Sequence, residues 1–109
     1  MITPEELLDR LKYNITIDED GTTYYRFNGK MHRDNDQPAI ITAVGSKAWY
    51  KDGKQHRDND LPAIIYTTGY KEWWVNGRRH RDGGQPAIIH TNGTKYWYQH
   101  GEFIRSEEK

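Results

Sequence analysis

The 109 residues contain no cysteine. That removes a disulfide framework, a thiolate metal site and a cysteine nucleophile. Long apolar runs are also missing. Nothing approaches the ~18 residues that cross a membrane, and no secretory pattern opens the chain, so a soluble, cytoplasmic protein is expected. Net charge is zero, from 16 basic and 16 acidic residues. This argues against a surface that is basic throughout, as nucleic-acid or membrane binders often have. Hydrophobic residues reach only 34%, against the ~45–50% of an average domain, so a conventional globule of this length lacks core material. A glycine-rich phosphate loop, a nucleophile motif and a cofactor fingerprint are all absent. No cofactor and no metal are expected.

Aromatic residues and repetition are what the chain has. Four Trp, eight Tyr and two Phe make up 13% of it, which disfavours general disorder. His32-Arg33-Asp34, His56-Arg57-Asp58 and His80-Arg81-Asp82 recur 24 residues apart. Pro38-Ala39-Ile40-Ile41 returns at Pro62 and Pro86 with the same step, as do Gly21, Gly45, Gly69 and Gly93. Gly29, Gly53, Gly77 and Gly101 form another column, and Tyr25, Trp49, Trp73 and Trp97 a fifth. Five columns on one period define a repeat array. Its units are 14–37, 38–61, 62–85 and 86–109, preceded by a separate segment, 1–13. The outer ends are atypical, as expected where a unit has one neighbour.

Each unit reads as β-hairpins. In 62–85, Ala63-Ile64-Ile65-Tyr66 and Lys71-Glu72-Trp73-Trp74-Val75 are β-prone runs around a glycine turn at Gly69. Asn76-Gly77 then predicts a type I′ turn, with equivalents Asn28-Gly29, Asp52-Gly53 and His100-Gly101. The fold expected is mainly β: four tandem 24-residue hairpin repeats in an extended antiparallel meander, with a short N-terminal helix as cap. Thr3, Pro4 and Glu6 form its start signal, and Leu7, Leu8 and Leu11 share one face. That helix is expected to cover the open sheet edge or the Trp-bearing face, docking on a partner being the alternative. Side-chain alternation puts Tyr25, Trp49, Trp73 and Trp97 on one face and Arg26, Tyr50, Trp74 and Tyr98 on the other. The first set is assigned to the core. Lys47, Lys71 and Lys95 are expected to lie over the indoles.

Tyr50-Lys51-Asp52-Gly53-Lys54-Gln55-His56 and Trp74-Val75-Asn76-Gly77-Arg78-Arg79-His80 resemble the aromatic–x–Asn–Gly–Lys–x–His stretch of MORN repeats. The resemblance covers residues 14–109. Where MORN units continue with Gly-x-Gly, this chain has Arg-Asp-x-x-x-Pro-Ala. It is similar to a diverged MORN-like variant of the kind that recurs in bacterial and phage proteins. The resemblance implies β-hairpin units and a scaffold that binds other proteins, self-associates or contacts phospholipid headgroups.

The His-Arg-Asp triplet invites a base-and-orienter reading. Three equivalent copies favour a structural role instead: aspartates in turn hydrogen bonds, histidines stacked on rings, and arginines pairing with carboxylates across units. Asp34-Asn35-Asp36 and Asp58-Asn59-Asp60 resemble calcium-loop fragments, but too few oxygens follow. A three-histidine zinc site would need the units to converge. The most basic unit, 62–85, interleaves Lys71, Arg78, Arg79 and Arg81 with Trp73 and Trp74, a pattern that single-stranded nucleic acid can use. The function expected is a non-enzymatic protein-binding or scaffold module. Its binding residues are Tyr50, Trp74, Tyr98, Arg78, Arg79 and Arg81. The alternative is a phage-type inhibitor that binds or sequesters nucleotide or nucleic acid, with a His-based hydrolase behind it. A protein partner is expected first, then a homodimer through open edges, with nucleic acid or anionic lipid as further options.

Overall fold

Helix α1 (Pro4–Lys12) begins as its start signal predicts: the Thr3 hydroxyl accepts the Glu6 N–H at 3.1 Å. In the computed structural model, which describes residues 1–108, the rest is β structure dominated by one large antiparallel sheet. The body measures 46 × 25 × 22 Å.

The leucines of α1 do not pack on that sheet. Leu7, Leu8 and Leu11 are 50%, 65% and 76% exposed. The helix is tied down through polar groups: Arg33 donates to Asp9 at 2.6 Å, and Lys12 pairs with Asp34. Tyr13, just beyond the helix, is the buried anchor. Its ring meets Tyr25 edge-on at 6.0 Å, and its hydroxyl accepts the Asp34 N–H at 2.9 Å.

Strands β1 (Asn14–Ile17) and β2 (Thr23–Phe27) pair in one hairpin, and β3 (Lys30–Met31) returns onto β2. The next two units share a pattern. β4 (Ile40–Ile41) and β5 (Lys47–Ala48) lie in the large sheet, then β6 (Tyr50–Lys51) and β7 (Lys54–Gln55) form a separate two-stranded ladder. β8 (Ile64–Ile65) and β9 (Lys71–Glu72) repeat the first arrangement, and β10 (Trp74–Val75) with β11 (Arg78–Arg79) the second. β12 (Ile88–Ile89) leads to the long closing hairpin of β13 (Lys95–Gln99) and β14 (Glu102–Glu107). The large sheet runs β1-β2-β4-β5-β8-β9-β12-β13-β14. The second hairpins of the two middle units therefore stand off it, where a single continuous meander would have kept them in register.

Each turn does what its residues permit. Asn28, Asp52, Asn76 and His100 have φ of 49–51°, and the glycine after each is also left-handed, the geometry of a type I′ turn. The N–H groups of Gly53, Gly77 and Gly101 donate to the Met31, Gln55 and Arg79 carbonyls at 2.8–2.9 Å. Successive hairpins are thereby stacked.

The core is thin and columnar. Ala39, Ala63 and Ala87 are fully buried, beside Trp49, Trp73 and Ile88. Each alanine gives both backbone groups to neighbouring strands: Ala63 N–H to the Glu72 carbonyl, and its carbonyl to the Trp49 N–H, both at 2.8 Å. Tyr25 and Trp97, in the end units with one neighbour each, are only half-buried. The cation over each ring is an arginine, not the expected lysine. Arg33, Arg57, Arg81 and Arg105 stand 3.7–3.9 Å from the ring centroids of Tyr25, Trp49, Trp73 and Trp97. Lys47 and Lys71 instead pair across the sheet with Ile65, and Lys71 also with Ile89. A planar guanidinium can stack and still donate in its own plane. Arg57 does both, reaching Asp36 at 2.8 and 3.1 Å and the Pro62 carbonyl at 3.1 Å. Arg81 repeats this with Asp60 and Pro86. Arg33 has no preceding repeat unit, and Asp9 of the helix supplies its carboxylate.

The array also closes its own end. Between middle units, the free side of β9 is taken by β12 of the next unit. At the C-terminal end β14 folds back onto β13, pairing Lys95 with Glu107 and Trp97 with Arg105. Its exposed side bears Glu102, Arg105 and Glu107, charges of the kind that discourage strand addition.

Candidate binding surface

The six residues nominated by sequence do not share one place. In the β10–β11 ladder Trp74 faces Arg79, and Val75 faces Arg78. Directly paired residues point the same way and their neighbours the opposite way, so Arg78 and Arg79 lie on opposite sides of the hairpin. Arg81 belongs to the core column over Trp73. Tyr50, Trp74 and Tyr98 occupy equivalent half-buried positions in three successive units, and Arg79 links two of them. Its guanidinium carbon stands 5.1 Å from the Trp74 ring centroid and 5.3 Å from that of Tyr98.

Glu72 organises this region, and the sequence reading missed it. Its side chain is buried beneath the rings. One carboxylate oxygen accepts from Trp74 Nε1 at 2.8 Å and Arg79 Nε at 2.9 Å; the other accepts from the Tyr70 hydroxyl at 2.6 Å. Burial pushes the Glu72 carboxyl up, but the three donors outweigh it and hold the group below the usual carboxylate range. Burial and the adjacent carboxylate push the Tyr70 phenol well up. A signal was available: the other units carry Tyr24, Ala48 and Tyr96 at this position, so Glu72 is the one acid in its column.

From this centre a chain of rings runs toward the C-terminal end. Tyr66 meets Tyr70 at 5.2 Å, Tyr70 meets His90 at 5.0 Å, and His90 meets Tyr96 at 5.2 Å. Phe103 joins Tyr96 at 6.3 Å and Tyr98 at 5.6 Å. These residues are half-buried or exposed. The result is a ring-bearing face with a buried carboxylate, Glu72, beneath it.

The His-Arg-Asp loops are joints between units. His56 Nε2–H donates to Asp58 at 2.6 Å, and Nδ1 accepts the Asn76 N–H at 3.0 Å. His32 and His80 repeat this with Asp34 and Asp82, and with the N–H groups of Asp52 and His100. Both nitrogens of each ring are committed, so the base-and-orienter reading finds no free one. The ring-stacking expectation is met only locally, by His80 on His100 at 4.5 Å and His32 near Phe27 at 5.9 Å. The aspartate carboxylates accept hydrogen bonds from the histidine Nε2–H groups rather than from turn backbone N–H groups. Asp36 and Asp60, the last residues of the calcium-like triplets, are taken by Arg57 and Arg81. Among the described residues no group of three or more His, Asp or Glu side chains converges as a metal site.

Two adjoining hollows, which share Val75 and His80, open along the unit joints. One of about 410 Å³ is lined by Asp58, Asp60 and Asp82 with Trp73, His80 and Arg81. Another, of about 390 Å³, is lined by Lys54, Val75, Asn76, Arg78, His80 and His100, with no carboxylate.

No family model, curated protein or solved structure matches the chain.

Proposed function

We propose that this protein is a non-enzymatic binding or scaffold module: four tandem MORN-like hairpin units that present a ring-bearing face to another protein. The observation that carries this reading is the ring face around Glu72. Trp74, Tyr98 and Arg79 are held there over a buried carboxylate, and Tyr66, Tyr70, His90, Tyr96 and Phe103 extend the surface toward β14. Trp, Tyr and Arg dominate binding hot spots, and rigid rings lose little entropy on contact. The column of Trp49, Trp73 and their arginines holds the units in place beneath. Tyr50 and Trp74 mark the side that the inter-unit hydrogen bonds leave available.

The test compares proteins retained from source-cell extract by the immobilised wild type and by a Trp74→Ala/Tyr98→Ala variant. A partner lost with the variant, while its thermal midpoint stays within a few degrees of wild type, supports the reading. A retained set indifferent to the two substitutions overturns it.

A further inference from the structure

The stand-off hairpins carry a second chemistry on their other side. Lys30, Lys54 and Arg78 follow the turn glycine in three successive units. Their stems lie along Gly53, Gly77 and Gly101 of the next turn, so close that a methyl group on each glycine would touch them at 3.6–3.7 Å. The stems are thus held by packing, which keeps each charged head at a fixed place in solvent. Among the described residues, neither Lys54 nor Arg78 has an ion-pair partner. Asn76 and His100, which share the 390 Å³ cleft with them, hydrogen-bond to the fold through their backbone N–H groups, and the His100 ring packs on that of His80 at 4.5 Å. Lys54 and Arg78, with Asn76 and two histidines, therefore surround a cleft that no carboxylate lines, while the adjoining hollow at the loops is lined by three aspartates.

We propose that this cleft, with the cation row leading into it, docks an acidic extended segment of a partner protein. The spacing selects that class of ligand. Each unit adds two strands to the large sheet, so equivalent positions of successive units, these cations included, recur at about 9.6 Å. A chain in the extended polyproline-II conformation turns once in three residues and rises ~3.1 Å per residue, which brings every third side chain back to the same side at about 9.3 Å. Duplex DNA carries a charge every ~1.7 Å of axis, far denser than this row can neutralise. The row ends where Glu102 takes the equivalent position in the last unit, which fixes the direction in which an acidic segment can extend. Val75, 36% exposed, gives the cleft an apolar floor. The inference goes beyond the ring face and does not rest on it, because the two surfaces lie on opposite sides of the β10–β11 hairpin.

An amide NMR titration tests it with a synthetic peptide bearing glutamate at every third position. A peptide of the same composition with contiguous glutamates serves as comparison. Expected are saturable shifts at residues 54, 75–78 and 100, tighter binding of the spaced peptide, and weakening by about tenfold or more in Lys54→Glu/Arg78→Glu. If that variant loses thermal stability, Lys54→Ala/Arg78→Ala replaces it. Shifts spread evenly over Lys47, Lys71 and Lys95 overturn the inference. So does equal binding of the two peptides, or preference for an oligonucleotide or anionic vesicles of equal total charge.

Discussion

The core column and the ring face are made by adjacent residues yet follow opposite rules. Trp73 and Trp74 are neighbours in sequence. Trp73 stands in a column that repeats its chemistry in every unit: an indole or phenol, an arginine stacked on it, and in three units an indole N–H donated to a loop carbonyl. Trp74 stands in a column that changes at every step, through Arg26, Tyr50 and Tyr98. The positions that repeat are those that contact the next unit, because every unit must solve the same joining problem. The positions that vary gather on the face the joints leave open. Within one chain, repetition marks the joints between units, and departure from it marks the face that the joints leave open.

The sharpest way to break this contrast is to truncate both tryptophans in turn. Trp73→Ala removes a buried ring, the stack beneath Arg81 and the 3.1 Å bond to the Asp60 carbonyl. The expected cost is about 3–5 kcal/mol, enough to unfold much of so thin a core. Trp74→Ala removes a half-buried ring and one of three donors to Glu72, at a cost of about 1–2 kcal/mol. Chemical denaturation of the two variants decides the matter. Equal losses would show the ring face to be a second core, and the face assignment would fall.

Much of the fold is legible because it is local. The 24-residue step, the paired left-handed turn residues and the Ala-Ile-Ile strands each announce themselves within a few residues. The joints are less legible, since their contacts lie far apart in sequence. The cross-unit pairing of Arg57 and Arg81 with carboxylates is expected from the sequence and is found with Asp36 and Asp60, but Arg57 also stacks eight residues back, and His56 accepts an N–H twenty residues ahead. No helix or strand period points to such separations, so Lys47 and Lys71, two residues from the indoles, were the nearer candidates. The candidate site was half legible. Tyr50, Trp74 and Tyr98 follow from alternation, whereas grouping Arg78 with Arg79 ignored the same alternation one turn later. The leucines of α1 read as a packing stripe because their spacing says nothing of whether a partner face exists. Here polar links to Arg33 and Asp34, with Tyr13, hold the segment instead.

A smaller effect separates the two regions by their response to acid. Glu72 binds its proton at lower pH in the folded chain than in the unfolded one. Its contribution is therefore complete above the ordinary carboxylate range and drains away as pH falls through the folded-state value. Glu72→Gln should cost about 2 kcal/mol at neutral pH and flatten the acid limb of the stability curve. Asp34 adds to that limb from the N-terminal end. Lys12 and then His32 hold its carboxyl down at about 2, against an ordinary 3.8, so its share is lost between those values. Its exposure keeps that share small. Denaturation midpoints measured from neutral pH downward should show the Glu72→Gln curve converging on wild type. Parallel curves would mean that the buried carboxylate does not couple the ring face to stability.

The least costly change is one the chain already contains. Asn59 and Asp60 hold φ of 65° and 56°, and the next loop places Gly83 and Gly84 in the same left-handed pair. Asp60→Gly removes the two hydrogen bonds to Arg81 but relieves a conformation that glycine adopts freely. Asp60 is 60% exposed and Arg81 only 15%, so the pair is screened on one side and its loss is worth under about 1 kcal/mol. Arg81→Ala should cost more, since it also uncovers Trp73 and frees the Pro86 carbonyl. Thermal unfolding of the two variants ranks the contributions. If Asp60→Gly proves as damaging as Arg81→Ala, the carboxylate link is what secures the joint, and the stacked guanidinium only follows it.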